Sequence, residues 1–160
     1  MSLNNVFNVY LAGPINNCND EEAYGWRRDL KITFSNLGIG CIDPLDRDFR
    51  GKEVLNYRDI VENDLEAIRK SDCLLAYLWK HDQPYFGTAM EIMYAHMIDI
   101  PVVSVMPFPT NLKGEKLLAE AGGKNYTFHP WIQYNSNLVV NKLEDAVEHI
   151  DYCVKYGVKI

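Results

Sequence analysis

Short apolar runs alternate with longer helical segments along this chain. The runs that predict strands are residues 6–12, 39–42, 73–79, 101–106 and 137–140, and helices are predicted at 20–37, 57–71, 88–98 and 141–156. Alternation of this kind indicates a parallel sheet with helices packed on both faces. We therefore expect an α/β fold with one flavodoxin-like, doubly wound domain over residues 1–160 and about five parallel strands.

The remaining stretches, residues 45–56 and 107–137, are polar or irregular and are predicted as loops, with one helical turn at 115–121. In doubly wound folds, ligands bind outside the carboxyl ends of the strands. We therefore expect the functional residues directly after the first three strands, in residues 10–15, 43–51 and 81–91.

The overall charge and the cysteines argue against several classes of function. The chain has 160 residues and a formal net charge of −6, whereas binding to a nucleic acid backbone needs clustered Lys and Arg. Cys18, Cys41, Cys73 and Cys153 form no Cys-x-x-Cys pair, and the histidines have no ligand spacing, so we predict no metal site. Without a signal peptide or an apolar stretch of about 20 residues, we predict a cytoplasmic protein with no membrane partner.

Glu91 is a carboxylate one turn into a predicted helix that is otherwise almost wholly apolar. A charge in such surroundings is costly unless it has a partner or a function. One interpretation is a capping box, because Thr88-x-x-Glu91 fits the Ser/Thr-x-x-Glu pattern. The other is a nucleophile, because we expect this helix to be buried with its amino end facing the cleft, where an ionised carboxylate is stabilised. The residues alone leave both interpretations open.

Two further side chains are candidates for the same site. Asp64 falls on the apolar stripe of the helix predicted at 57–71, so it is either paired to a donor in the core or lines a site. Its neighbour Asn63 is interpreted as solvated. Tyr10 ends the first predicted strand, where it is either a half-buried strand residue or holds its hydroxyl beside Glu91.

Charged residues cluster in two other segments. Residues 46–52 form a mixed-charge loop, which is either a solvated turn or a loop that recognises a base and a phosphate. Trp26, Arg27 and Arg28 on the first predicted helix are interpreted as packing plus surface charge.

Taken in order, these motifs resemble the nucleoside 2-deoxyribosyltransferase family, which includes the 2′-deoxynucleoside 5′-monophosphate N-glycosidases. The resemblance covers nearly the whole chain, and it is carried by Tyr10-Leu11-Ala12-Gly13-Pro14, Pro44-Leu45-Asp46 with Phe49-Arg50-Gly51, Asn63-Asp64-Leu65, and Gly87-Thr88-Ala89-Met90-Glu91 with Tyr94-Ala95. Each motif is weak alone, and the set in this order is what carries the resemblance.

The resemblance implies retaining cleavage of the N-glycosidic bond of a 2′-deoxynucleoside. Glu91 would attack C1′ and form a covalent deoxyribosyl-enzyme through an oxocarbenium-like transition state. Tyr10 would orient and stabilise Glu91, and Asp64 would protonate the leaving base or hold the sugar. A second nucleobase then takes the sugar in a transferase, or water takes it in a hydrolase, with no metal and no organic cofactor.

The resemblance also implies a set of substrate-binding residues: Gly13, Pro14, Ile15, Asp48, Phe49, Arg50, Tyr85, Gly87 and Thr88. Asp48 occupies the position that contacts the base in the family, and a carboxylate there accepts hydrogen bonds from an exocyclic amine or a ring N–H. We therefore predict a preference for an amino-bearing base such as cytosine, adenine or guanine.

Two positions depart from the family pattern. Six residues before Glu91, the transferases usually carry an Asp that contacts the sugar and the monophosphate hydrolases a Ser that contacts the phosphate, whereas this chain has Tyr85, with Asp82 nearby as a substitute acid. Family members also often complete each site with an Asn from a neighbouring subunit, and here the region around residues 129–131 is the candidate. The resemblance thus implies a homo-oligomer, a dimer or larger.

The leading hypothesis is a transferase whose partners are a small deoxynucleoside or deoxynucleotide and a free nucleobase. The main alternative is hydrolysis of a deoxynucleoside 5′-monophosphate to base and deoxyribose 5-phosphate, since Arg47, Arg50 and Lys52 are donors for a phosphate. A non-catalytic nucleotide-binding protein is the second alternative. A flavin protein also fits the architecture, but Pro14 removes a backbone donor from the loop after the first strand.

Overall fold

A computed structural model of the protein describes residues 6–80, 85–107 and 129–160. Within these ranges one sheet contains β1 (Asn8–Ala12), β2 (Gly40–Ile42), β3 (Cys73–Tyr77), β4 (Val102–Val105) and β5 (Leu138–Val140). The strand order is β2-β1-β3-β4-β5, and every neighbouring pair is parallel. This is the flavodoxin-like order with its switch point between β1 and β3, so the predicted fold is confirmed.

The described helices are α1 (Trp26–Asn36), α2 (Glu53–Arg69), α3 (Phe86–Met97), α4 (Pro130–Asn135) and α5 (Leu143–Tyr156). A π-helical turn, Glu21–Gly25, leads into α1, and a 3-10 turn, Pro44–Arg47, follows β2. The helices α1 to α4 lie between successive strands and α5 follows β5. The helices pack on both sides of the sheet, as the crossover rule for parallel strands requires.

Two predicted loops contain helix. α2 begins at Glu53, although residues 45–56 were expected to be irregular, because a first helical turn joins the rest of α2 across a kink at Asn56. The Asn56 amide donates to the Lys52 carbonyl and holds that kink. α4 is only six residues long, too short for its periodicity to be recognised in the sequence. The helical turn predicted at 115–121 lies outside the described residues.

Alternation along the strands divides the core into two layers. Val9 and Leu11 of β1 pack with Leu30 and Phe34 of α1 and with Ile150 of α5. The intervening Tyr10 and Ala12 belong to the opposite layer, together with apolar side chains of the other helices, Ile68, Ile92, Ala95 and Ile132. Tyr10 is therefore directed to the side of the sheet on which α2 and α3 pack, which is the requirement for it to reach Glu91.

The turn after β1 requires a glycine. A Cβ atom at Gly13 would lie 2.7 Å from Cζ2 of Trp26 and 3.1 Å from the carbonyl oxygen of Tyr77. The loop after β1 is thus packed directly on α1 and β3, which fixes the position of the residues that follow it. In the next loop Gly51 has a φ of 75°, a left-handed conformation that glycine adopts without strain.

α3 is not buried on all sides, contrary to the expectation from its apolar composition. Phe86, Met90 and Met97 are 74%, 66% and 71% exposed. Exposed apolar side chains continue onto the helices that contact α3 on either side. We call this surface the apolar face, and it comprises Val54 and Leu55 of α2, Phe86, Met90, Met93 and Met97 of α3, and Trp131 and Tyr134 of α4.

The helices within the described ranges do not include one that is both long and apolar enough to cross a lipid bilayer.

Candidate active site

A cavity of about 720 Å³ opens at the carboxyl ends of β1 and β2, between α2 and α3. This is the crevice in which doubly wound folds bind their ligands. Most residues predicted from the sequence line it: Gly13, Pro14, Ile15, Phe49, Arg50, Asp64, Tyr85, Gly87, Thr88 and Glu91. Of the predicted set, Tyr10 lies in the core next to the cavity, and Asp48 is outside its lining.

Glu91 is held by Tyr10. The Tyr10 hydroxyl donates a hydrogen bond of 2.7 Å to Oε1 of Glu91, joining the middle of β1 to the second turn of α3. The capping-box interpretation is wrong, because α3 begins at Phe86 with Tyr85 as its cap residue, so Thr88 is already inside the helix. Glu91 therefore lies along the wall of the cavity and does not reach back to the helix end.

Burial and mutual repulsion favour the protonated forms of the two carboxyl groups in the cavity. Burial, together with the negative charge of Asp64, raises the pKa of Glu91 to about 7, although the Tyr10 hydrogen bond and the Arg27 charge act in the opposite direction. Burial likewise raises the pKa of Asp64 to about 6, although the nearby Tyr10 hydroxyl acts in the opposite direction. The one proton of that hydroxyl is donated to Glu91.

Because the two carboxyl groups interact, they lose their protons in two steps that belong to the pair. Between about pH 6 and pH 7 the form with one proton is populated, and in the free protein that proton lies mainly on Glu91, because the pKa of Glu91 is the higher of the two. Burial and the charges of Glu91 and Asp64 raise the pKa of Tyr10 well above its ordinary value, so its hydroxyl stays a donor throughout. The pair supplies a carboxylate nucleophile and an acid at the same time when the shared proton moves from Glu91 to Asp64.

Arg27 lies beneath this centre and is fully buried. It was interpreted from the sequence as part of a packing and surface-charge segment, and the surface charge is wrong for this residue. A signal was present, because Arg27 shares the inward face of its helix with Ala23, Leu30 and Phe34. Its guanidinium pairs with Asp43, whose carboxylate also binds Lys31 at 2.7 Å.

Asp48 makes contacts other than those expected from the sequence. Its carboxylate accepts a 2.7 Å hydrogen bond from the Tyr24 hydroxyl and bonds from the backbone N–H, Nε and Nη2 of Arg50. Asp20 also pairs with Arg50, at 2.9 Å. Arg50 itself lines the cavity, so the cluster presents a neutralised guanidinium to a ligand. The contact between Asp48 and a base stays a prediction.

Two polar residues of the wall were not among the predicted contacts. Asn63 was expected to be solvated, but it lines the cavity and accepts a hydrogen bond from Arg47. Asp43 begins the segment 43–51 in which functional residues were expected, and it is buried and accepts a bond from the backbone N–H of Leu45. In the sequence both residues are surrounded by other polar residues, so no pattern of apolar spacing marks them as buried or as part of the cavity wall.

A metal site is not evident in the part of the chain that the structure describes. Within residues 6–80, 85–107 and 129–160 there is no group of three or more His, Cys, Asp or Glu side chains that could hold a metal ion.

Comparison with known proteins agrees with the motifs that line this cavity. Residues 6–108 match the family described as nucleoside 2-deoxyribosyltransferase like. The chain belongs to this family. The matched segment contains Tyr10, Asp64 and Glu91, together with all the predicted substrate-binding residues. Membership confirms the resemblance inferred from the sequence and indicates an enzyme of the glycosyltransferase or glycosidase type.

A solved structure shows the same fold. The crystal structure of a conserved protein from Enterococcus faecalis V583 superposes with a TM-score of 0.65 at 23% sequence identity. The match covers 92% of this chain and 99% of that one. No curated protein is similar enough to the chain to count as a match.

Proposed function

We propose that this nucleoside 2-deoxyribosyltransferase-like protein is a deoxyribosyltransferase that moves 2-deoxyribose from a deoxynucleoside to another nucleobase. The observation that carries the proposal is the 2.7 Å hydrogen bond from Tyr10 to Glu91 in a cavity that Asp64 also lines. Cleavage of a glycosidic bond uses two carboxyl groups, and in the retaining reaction one is the nucleophile and the other the acid, the roles proposed for Glu91 and Asp64. The family to which the chain belongs is named for this chemistry, which supports the assignment.

The proposed reaction is a double displacement at C1′ of the sugar. The Glu91 carboxylate forms a bond to C1′ as the bond from C1′ to the base nitrogen breaks, and that electron pair leaves with the base. Asp64 donates the proton that the departing base takes up. The incoming base then attacks C1′, Glu91 leaves as a carboxylate, and Asp64 recovers a proton from the attacking nitrogen. Two inversions give overall retention, and all atoms and charges balance.

The Tyr10 hydroxyl has a definite part in this scheme. It donates to the Glu91 carboxylate and stabilises the ionised form, which is the nucleophile. Because the pKa of Tyr10 is raised, the hydroxyl keeps its proton over the pH range in which Glu91 ionises. Its position in the middle of a buried strand limits movement, so Glu91 is oriented before the substrate binds.

The charges around the cavity favour a substrate without a phosphate. Among the described residues, six acidic side chains line it and three basic ones do, Arg47, Arg50 and Lys70. Two of the three cations are already paired, since Arg50 binds Asp48 and Asp20, and Lys70 binds Glu66 at 3.0 Å. Binding of a 5′-phosphate requires charge-assisted donors, and two of the three basic side chains at this cavity already have carboxylate partners. A neutral deoxynucleoside is therefore the proposed donor.

Hydrolysis of a deoxynucleoside 5′-monophosphate is the second candidate. It is favoured by Arg47, which lines the cavity and donates a hydrogen bond to the neutral side chain of Asn63. Displacing an amide requires less free energy than breaking a charged pair, so Arg47 is the cation best placed to bind a phosphate. In that reaction water replaces the second base as the acceptor of the sugar.

We also propose that two copies of the chain pair through the apolar face. So many large apolar side chains on three neighbouring helices exceed what a monomer usually exposes. Phe86 belongs to this surface and also lines the cavity, so a second copy seated there lies at the mouth of the site. A twofold pairing of the same surface buries it on both subunits. We place this oligomer in the cytoplasm, where its free thiols stay reduced.

One chromatographic assay tests the proposed function. The protein is incubated with deoxycytidine, deoxyadenosine, deoxyguanosine or thymidine, or with their 5′-monophosphates, each with and without a different free base. Glu91→Gln is the inactive variant, and Glu148→Gln, on the exposed surface of α5, is the matched control. We expect a new deoxynucleoside only when a free base is present, and none with Glu91→Gln. Base release from monophosphates alone would establish the hydrolase, and no cleavage by the wild type would overturn the proposal.

A further inference from the structure

Arg27 joins the two loops that wall the candidate active site. Its Nη2 donates to the carbonyl oxygen of Gly13 at 3.0 Å, and its Nη1 lies 3.4 Å from that of Pro14 and 2.7 Å from that of Ala23. On its other edge, Nε lies 3.4 Å from Oδ1 of Asp43. One side chain of α1 thus contacts the loop after β1 and the loop after β2.

Both contacted loops bear directly on the cavity. Gly13, Pro14 and Asp43 line it themselves. Asp43 also fixes the second loop, because its carboxylate accepts the backbone N–H of Leu45 at the start of the 3-10 turn. A shift of Arg27 would therefore change the distance between two walls of the cavity.

The contact depends on the shape of the guanidinium group. Its donors form a rigid planar fork, which reaches carbonyl oxygens on one side and a carboxylate on the other. The guanidinium carbon also lies 4.2 Å from the centre of the Trp26 ring. That ring packs beneath Gly13, where a Cβ atom would be 2.7 Å from Cζ2. A lysine would keep the charge but would lose the fork and the stacking.

Arg27 also brings a positive charge to the underside of the catalytic centre. The groups that act on Glu91 come from three elements, namely Tyr10 of β1, Asp64 of α2 and Arg27 of α1. Of these, Arg27 is the cation, and it lowers the pKa of Glu91 against the effects of burial and of Asp64. Because the side chain is fully buried, solvent and salt screen this charge little.

We propose that Arg27 is a positioning residue of the active site, which fixes the loops after β1 and β2 against each other and holds a buried positive charge beneath Glu91. This inference rests on the proposed function of Glu91. Arg27 is buried and is not among the residues that line the cavity. Its effect on the reaction is therefore indirect, through the positions of the two loops and through the electrostatic effect of its charge on Glu91. The competing explanation is that the pair of Arg27 with Asp43 only stabilises the fold.

Two substitutions separate the parts of the proposal. Arg27→Lys keeps the charge and removes the fork, whereas Arg27→Gln keeps a hydrogen-bonding side chain and removes the charge. Both leave Asp43 paired with Lys31, so neither leaves an isolated buried carboxylate. Arg28→Met is the matched control, because Arg28 is the next residue of α1 and its side chain is 59% exposed.

The experiment measures kcat and KM for deoxynucleoside cleavage across pH. In protein labelled with ¹³C in its glutamates, the NMR chemical shift of the Glu91 carboxyl carbon across pH gives the pKa of that carboxyl group. For Arg27→Gln we expect the acid limb of kcat and the carboxyl pKa of Glu91 to move up by about one pH unit. For Arg27→Lys we expect both to stay in place while KM rises about tenfold, since the walls move but the charge remains. Arg28→Met should match the wild type in all three.

The outcomes are distinguishable. An acid limb and a Glu91 pKa that do not move in Arg27→Gln, or a wild-type KM in Arg27→Lys, would overturn the proposal in favour of the purely structural role. If Arg27→Gln does not fold, the KM of Arg27→Lys still decides whether the fork positions the loops. If the wild type cleaves nothing, the proposed function fails, while the NMR titration still shows whether Arg27 sets the ionisation of Glu91.

Discussion

The Tyr10 hydroxyl lies 2.7 Å from Oε1 of Glu91, although 81 positions separate the two residues in the chain. β1 places Tyr10 in the layer of the core that α3 covers, and Ile92, next to Glu91, is buried in that same layer. The packing that stabilises the fold therefore also sets the geometry of the carboxylate. Such a contact is preorganised, and it costs no rearrangement when the substrate binds.

Replacing Tyr10 with Phe tests what this contact contributes. Phe keeps the buried ring but cannot donate to Glu91, so the ionised nucleophile loses a charge-assisted hydrogen bond of about 1.5 to 3 kcal/mol. We expect kcat for deoxynucleoside cleavage to fall by about 10- to 100-fold, with a smaller change in KM. Steady-state kinetics measure this, with Tyr152→Phe on the exposed side of α5 as the control. A wild-type kcat in Tyr10→Phe would contradict the role given to the hydroxyl.

The raised pKa of Glu91 also predicts how stability depends on pH. The folded protein holds the Glu91 proton up to about pH 7, whereas the unfolded chain loses it near the ordinary value of 4.5. The folded state thus binds more protons in that window, and stability falls as pH rises through it. We expect Glu91→Gln to raise the free energy of unfolding by on the order of 2 kcal/mol at pH 8 and to have little effect at pH 4.

Urea denaturation of both proteins at the two pH values measures this effect, with Glu148→Gln as the exposed control. Equal stabilities of Glu91→Gln and the wild type at pH 8 would mean that ionised Glu91 is solvated like a surface carboxylate. A stabilised but inactive variant is the usual sign of a residue retained for function.

The apolar face predicts an oligomer that a single charge disrupts. Met90 is 66% exposed near the middle of α3, and a buried lysine in its place would have no partner across an apolar contact. We expect the wild type to sediment as a dimer or larger and Met90→Lys to sediment as a monomer. Ile32→Lys is the control, since Ile32 is exposed on α1, on the other side of the sheet. A wild type that stays monomeric at high concentration would contradict the proposal that two copies pair through the apolar face.

Asp48 provides a test of base recognition. Asp48→Asn keeps the size of the side chain but weakens its hold on Arg50, which lines the cavity. We expect the relative kcat/KM for amino-bearing and other bases to change, because either the base or Arg50 depends on the Asp48 charge. Asp20→Asn removes the other partner of Arg50 at an exposed position and serves as the control. Unchanged base preference in Asp48→Asn would remove this residue from the binding site.

The strands and the outline of the site could be predicted from the sequence, because both follow from local patterns. A strand buried on both faces is a short apolar run, and β1 and β3 are such runs. Once the strand order is known, the carboxyl ends of β1, β2 and β3 define the crevice. Glu91 was noticeable because its helix neighbours are apolar.

The rest depends on contacts that local patterns do not contain. Arg27 and Asp43 meet only in the folded chain, so no local pattern predicts their ion pair. The exposed methionines of α3 were predicted to be buried, because an apolar helix has the same sequence pattern whether its own chain or a second chain covers it. Asp48 was assigned from a family position, whereas its partners Tyr24 and Arg50 are a property of this chain.

The most direct test of the central claim is to look for the covalent deoxyribosyl-enzyme on Glu91. The wild type is mixed with a deoxynucleoside in the absence of acceptor base, quenched with acid, and analysed by intact-protein mass spectrometry and peptide mapping. We predict one added deoxyribosyl group on the peptide that contains Glu91, absent in Glu91→Gln and lost when free base is added before the quench. Turnover without an adduct, with products of inverted configuration at C1′, would contradict the role of Glu91 as nucleophile.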